Sequence, residues 1–285
     1  MKALLAIVTL AFICPAYGQE DGYHLDKDYP MQPNGILRLN LSDAKVFVTG
    51  SNRANAHVKI DRVVTTKGLT FGHDYFSIDI AEENGGLNIR EHSGSSTMGI
   101  VGYYSEKYEV TIALPKGAGV RIKGDDGDYH LTYLDGEIVV DLDDGDVEVL
   151  GCGGNHFEFT LDDGDVKMDQ GKGSLLIKAD DADVRIFNGA FTSVDVETDD
   201  GDFIVETSLA DLGDYRIRTQ DGLVSMKITG GGGDFVIRHD DTRVVTEGNF
   251  REVEKSDDRT KLSLSGGKAN VDIRSNDGRV RLAAR

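Results

Sequence analysis

One tetrapeptide recurs through the second half of the chain at a nearly constant interval, and that interval limits the fold more than any other feature. Asp-Asp-Gly-Asp stands at 125–128, 143–146, 162–165 and 199–202, and Asp180-Asp181-Ala182-Asp183 is the same unit with alanine in the third place. Looser copies lie at Asp221-Gly222, Asp240-Asp241-Thr242 and Asp277-Gly278. Counted on the third position, the spacings are 18, 19, 18, 19, 21, 20 and 36. The last is two periods, with a degenerate copy expected around Asp257-Asp258. A unit of this length, repeated, is one supersecondary element that buries its apolar face against its neighbours.

The flanks repeat with the turn. Seven and five residues before the third position, and two and four after it, all but Thr246 of 32 side chains are apolar or aromatic. Val120/Ile122, Phe157/Phe159 and Val194/Val196 illustrate the first pair, and Tyr129/Leu131, Val147/Val149 and Phe203/Val205 the second. Alternation of period two on both sides of an Asp-Gly turn marks half-buried strands, and no helical stripe competes with it. Glycines fall between the Asp turns at 151, 153, 154, 171, 173, 189 and 230–233. Each unit therefore reads strand, Asp turn, strand, Gly-rich turn. The expected fold is all-β, a β-solenoid with coils of 18–21 residues, and the alternative is an antiparallel β-meander, because Asp-Gly also makes hairpins. Near-constant unit length favours the solenoid.

Residues 35–118 alternate less regularly (Leu37/Leu39/Leu41, Val46/Val48, Val58/Ile60, Ile78/Ile80, Val110/Ile112/Leu114) and read as irregular first coils with a capping role. Residues 119–285 are the regular coils of the same single domain, and 19–34 an extended lead-in. The Gly/Ser-rich stretch 92–105 breaks the pattern and is expected to be a loop. Its Met98, Ile100, Val101, Tyr103 and Tyr104 are an unusual apolar concentration for a solvated loop, suited to partner contact or to covering an open end of the stack.

The first eighteen residues have the build of a secretory signal: Lys2, an apolar run from Ala3 to Ile13, then Ala16-Tyr17-Gly18 as small residues before a cleavage point at Gln19. Bulky Ile13 before Cys14 disfavours lipid attachment. Cys152 is then left alone, without an internal disulfide, and reads as a small buried apolar residue. No later stretch reaches the roughly 20 apolar residues of a membrane helix. The formal charge of −19 argues against nucleic acid as a ligand, since affinity there comes from neutralising phosphates. The expected location is the periplasm, the cell envelope or the medium.

The segments GILRLNLSDAKVFVTGSNRANAHVKI, YEVTIALPKGAGVRIKGDDGD, DDGDVEV, TDDGDFIV and VDIRSNDGRVRL together resemble the bacterial putative-adhesin β-repeat family, exported domains of unknown function. The resemblance covers residues 35–285. It implies a right-handed, single-stranded β-helix at the cell envelope and carries no catalytic or binding residue with it.

The Asp turns are the one constellation with possible chemistry. Stacked, they form an acidic ladder whose side chains either splay into water and cap their own turns, or bridge a hard cation such as Ca²⁺. The candidate ligands for calcium are Asp143, Asp144, Asp146, Asp162, Asp163 and Asp165; no other cofactor is implied. Neither the calcium-roll nonapeptide, an EF-hand loop, nor any hydrolase, protease or nucleotide motif is present. His239 takes an inward position, and His130 and His156 point outward. The functional expectation is a non-catalytic, adhesin-like scaffold meeting a protein or glycan at the envelope. The alternatives are a carbohydrate-active β-helix enzyme and a calcium-stabilised module.

Overall fold

The computed structural model describes residues 19–71, 74–95 and 99–284, and every regular element in them is a β-strand. The signal-like residues 1–18, including Cys14, lie outside the described residues.

In the repeat region strands pair in parallel at the interval of the repeat. Val120 lies beside Ile138 and Ile138 beside Phe157. Across the Asp turn, Tyr129 lies beside Val147 and Val147 beside Val166. Farther on the displacement grows to 21 residues, with Val194 beside Tyr215 and Phe203 beside Val224. Parallel ladders of this kind exclude the meander for these residues, because a meander pairs successive strands in opposite directions. Each coil supplies one strand before the Asp turn and one after it, and the inward side chains of both meet between them. Of the 32 repeat positions, 30 are buried; half-buried Val244 and exposed Thr246 are the two others. One core cluster runs unbroken from Tyr29 to Leu282.

The N-terminal part differs from the expected run of irregular coils. Only 36–49 is a coil: Leu37 stacks on Val120 and Val46 on Tyr129, both 83 residues later. The residues between are antiparallel hairpins closing the end of the stack, and one of their strands also lies parallel on the coil, Leu87 beside Leu37 and Ile89 beside Leu39. Strands Asp74–Glu83 and Gly86–Ser95 turn at Asn84-Gly85, both left-handed (φ 51° and 75°), the two-residue turn that matches strand twist. Gln19–Pro30, expected as a lead-in, pairs antiparallel with residues 55–66. Alternation alone did not separate hairpin from coil, since both present one apolar side chain in two. The ends of the hairpins are held by aromatic edges: Phe76 meets Tyr23 at 5.4 Å and Tyr108 at 5.3 Å, with the Arg62 guanidinium 4.3 Å above its ring.

The expected loop at 92–105 is a second correction for residues 92–95 and 99–105, while 96–98 lie outside the described residues. His92 pairs with Ser77 in one hairpin, and Ser105 pairs with Thr65 in another. Glycine and serine lower strand propensity, but backbone hydrogen bonds to an existing neighbour supply what side-chain packing does not.

The C-terminal end brings a third. The sequence suggests coils stacked in chain order, with a degenerate copy near Asp257. Instead the last strand, Ala269–Ala284, lies between two earlier ones. Tyr215 pairs with Val271 on one side, and Phe235 pairs with Val271 on the other. Residues 251–264 form a hairpin whose second strand runs antiparallel to 233–238. The apolar row Val271/Ile273/Val280/Leu282 thereby gains a neighbour on both faces, which an end position would deny it.

Because this strand is interior to the stack, deleting residues 269–285 should release 233–264 as well. Amide exchange should show protection lost across 233–264 but retained in 120–205. Protection of 233–264 surviving the deletion would contradict the inserted order.

Candidate functional site

The Asp turns form a continuous ridge along one edge of the stack. Its narrowness begins with the backbone. A Cβ on Gly164, at φ 111°, would sit 2.2 Å from the Gly145 carbonyl oxygen, and a Cβ on Gly145 equally close to that of Gly127. The coils touch backbone to backbone there, so a side chain at the turn either points out or pushes them apart.

The aspartate that closes each turn, after glycine or, at Asp183, after alanine, ties one coil to the next. The backbone N–H of Asp165 donates to Asp146 Oδ1 at 3.0 Å, that of Asp202 to Asp183 Oδ1 at 2.8 Å, and that of Leu223 to Asp202 Oδ1 at 3.0 Å. These carboxylates satisfy N–H groups at the corner, where the ladder is interrupted. Buried Thr198 and Thr219 work from inside, each donating to the carbonyl two residues on, at 2.8 Å and 2.5 Å.

All six calcium candidates lie on this ridge and are exposed. Asp126, Asp144 and Asp163 stand in register on successive coils. The Asp144 carboxyl is held above its ordinary value of 3.8, first by the local desolvation of the crowded ridge and then by the charges of Asp163 and Asp126. Among the described residues no group of three or more His, Cys, Asp or Glu is arranged to hold a metal ion. Asp146 and Asp165 also line a cleft of about 240 Å³ on the adjoining face, with His130, Glu148 and Lys167.

Both faces beside the ridge carry charges of alternating sign. Lys123 pairs with Asp141 at 3.1 Å, Lys167 with Glu148 at 3.0 Å and Lys227 with Glu206 at 2.7 Å, each across one coil step. The Glu148 carboxyl is lowered by its hydrogen bonds from Lys167 and then His130. Exposed pairs such as these add little stability singly. They do remove the repulsion that a row of one sign would create.

Of the contact candidates, Met98 lies outside the described residues. Ile100 and Val101 belong to the strand Gly99–Pro115, with Thr70 and Leu69 as backbone neighbours. Tyr103 and Tyr104 are exposed on the same strand, and the Tyr104 hydroxyl donates to Glu106 at 2.6 Å. Cys152 is buried, donates weakly to the Leu131 carbonyl at 3.6 Å, and has its thiol pushed up to about 11 by burial, which suits packing and not nucleophilic attack. Outward-facing His130 and His156 bond to Glu148 and Ser174. His239 is half-buried, with Nε2 3.1 Å from Thr260 Oγ1.

One family model matches over residues 36–283, coils and hairpins together. The chain belongs to the Toastrack DUF4097 family. Solved structures similar to this Toastrack chain include a putative adhesin from Bacteroides fragilis, 12% identical, covering 91% of this chain and 97% of its own, with a TM-score of 0.47. Another is a putative cell adhesion protein from Clostridium sporogenes, 11% identical over 92% of this chain and all of its own, TM-score 0.29. A putative lipid binding protein from Parabacteroides distasonis is 10% identical over 94% and 98%, TM-score 0.30. No curated protein matches the chain.

The repeat exposed the acidic side of the site in the sequence but not its basic side. The column four residues before the turn changes from Lys123, Asp141, Thr160, Lys178 and Glu197 to Arg218, Arg238 and Arg274. That drift toward arginine was legible; which arginines are neighbours was not.

Two outcomes follow from the ridge. Gly164→Val should cost about 2 kcal/mol or more, from a disfavoured φ and a forced separation of coils, read as a lowered unfolding midpoint. Asp144→Asn should raise the midpoint at pH 7. A carboxyl whose folded pKa is raised loses stability as pH climbs from its ordinary 3.8 through the folded value, so the gain should vanish below that window. A midpoint difference unchanged down to pH 3 would contradict the assignment.

Proposed function

We propose that this chain is a non-catalytic, adhesin-like β-solenoid of the cell envelope, exported by removal of residues 1–18, that presents its long repetitive surface to a protein or glycan. The coils of the single body 35–285 are taken as right-handed, the hand favoured by strand twist and crossover geometry. The supporting observation is the employment of the ridge: its repeated aspartates bond the backbone of the next coil from Asp146 to Leu223. The buried Cys152 thiol is not activated. Membership of the Toastrack DUF4097 family, a domain of unknown function in bacterial putative adhesins, supports the adhesin-like reading. Calcium enters as a condition to be varied, through Asp143, Asp144, Asp146, Asp162, Asp163 and Asp165.

The test has three readouts. N-terminal sequencing of the mature protein should begin at Gln19. Protease added to intact cells should remove the chain if it is displayed outside; protection until the envelope is broken places it in the periplasm. Purified chain should bind isolated envelopes saturably, with calcium or with chelator, and release no reducing ends from polysaccharide. Release of reducing ends would replace this reading with a carbohydrate-active enzyme.

A further inference from the structure

Taken in stack order, four arginines fall in one row. Arg218 lies beside Arg274, Arg274 beside Arg238, and Arg238 beside Arg259. Like charges directly across a ladder repel, so the row lowers stability unless something offsets it. Across the turn, exposed Arg279 lies beside exposed Arg243. Residues 214–285 carry 14 basic against 12 acidic side chains, while residues 1–213 carry 17 against 38. The acid excess of the molecule thus stops where the arginine row begins.

Three of the four arginines are held by carboxylates. Arg218 pairs with Asp195 at 3.2 Å, Arg238 with Asp272 at 2.5 Å, and Arg259 with Glu254 at 2.6 Å. The Arg274 side chain makes no hydrogen bond or ion pair with the described residues. It lines a cleft of about 370 Å³ together with Arg238, His239 and Arg259, and with Asp240 and Asp258. Two buried nitrogens of these lining residues have no partner: His239 Nδ1 and Arg259 Nε. Asp258 is occupied by the Ser256 hydroxyl at 2.7 Å, whereas Asp240 is exposed and has no hydrogen-bond partner.

We propose that this cleft binds the phosphate ester of a polyol, its phosphate set among Arg274, Arg259 and His239 and a hydroxyl of the polyol donating to Asp240. Guanidinium groups are the side chains best matched to phosphate oxygens. A phosphate offers more acceptor oxygens than a carboxylate, enough for three separate donors. The free Asp240 carboxylate opposes a bare anion and welcomes a ligand that carries hydroxyl donors beside its charge. The cleft is roomy enough for both parts. The site stands apart from the envelope assignment: it depends on the stacking order alone. The same chemistry occurs in soluble sugar or glycerol phosphates and in the headgroup of a phospholipid.

Glycerol 3-phosphate is the probe, titrated calorimetrically into the full chain, into Arg274→Gln, and into Arg121→Gln as a charge-matched control at the far end. Arg274 is exposed, and unfolding midpoints verify that both variants fold. One saturable site is expected, weakened about tenfold or more by R274Q and unchanged by R121Q. Sedimentation with phosphatidylglycerol vesicles separates the sources. Capture that R274Q abolishes and glycerol 3-phosphate competes away assigns a lipid headgroup; soluble binding without capture assigns a soluble ester. Binding to neither probe, or equal weakening by R274Q and R121Q, overturns the site.

Discussion

Parallel pairing at a fixed displacement sets each side chain directly over its counterpart in the next coil, about 4.8 Å away. Everything else in the molecule answers to that constraint. For aliphatic and aromatic residues it is favourable: Ile138, Phe157 and their copies contact one another in rows without needing to interdigitate with an unlike surface. For glycine it permits backbones to approach at the corner, as at Gly127, Gly145 and Gly164. For charged residues it is unfavourable, because a repeat places like above like.

The chain meets the charge problem in two ways. On the open faces the repeat is broken deliberately in sign, so that Lys123 meets Asp141 and Glu148 meets Lys167. On the ridge the sign is kept, and the acid that closes the turn is turned onto the backbone N–H of the next coil. What remains is crowding at Asp144, whose carboxyl pKa is raised first by local desolvation and then by the charges of its in-register neighbours Asp163 and Asp126. The arginine row at the C-terminal end is the same constraint with the opposite sign, and there one member, Arg274, is left without a counter-charge.

A stack of coils has two ends, each with bare strand edges and an exposed slice of core. The ends are built from different parts. The N-terminal end uses long antiparallel hairpins stapled by Tyr23, Phe76 and Tyr108. The C-terminal end uses a short hairpin at 251–264, with Phe250 set edge-on to Phe235 at 5.4 Å. The match to the Toastrack DUF4097 family runs from residue 36 to 283 and so takes in the coils, the C-terminal hairpin and the N-terminal hairpins apart from Gln19–Pro30.

The sequence by itself determined the strand-turn-strand unit, its period, and the inward identity of 30 side chains, because these depend on alternation and turn chemistry within about 20 residues. It also marked the acidic corner, since Asp and Gly are there for local reasons. Asn84-Gly85 was a legible hairpin signal within the N-terminal part, yet alternation on either side of it suits coil and hairpin equally. Only the tertiary structure decided which coil follows which. The insertion of 269–284 between 214–228 and 233–247 has no local signature, because Val271 and Ile273 pack as well on Phe235 and Ile237 as on Tyr215 and Ile217. Interchangeable apolar rows leave stacking order to the closure of the ends, and that order is what brings Arg218, Arg274, Arg238 and Arg259 together.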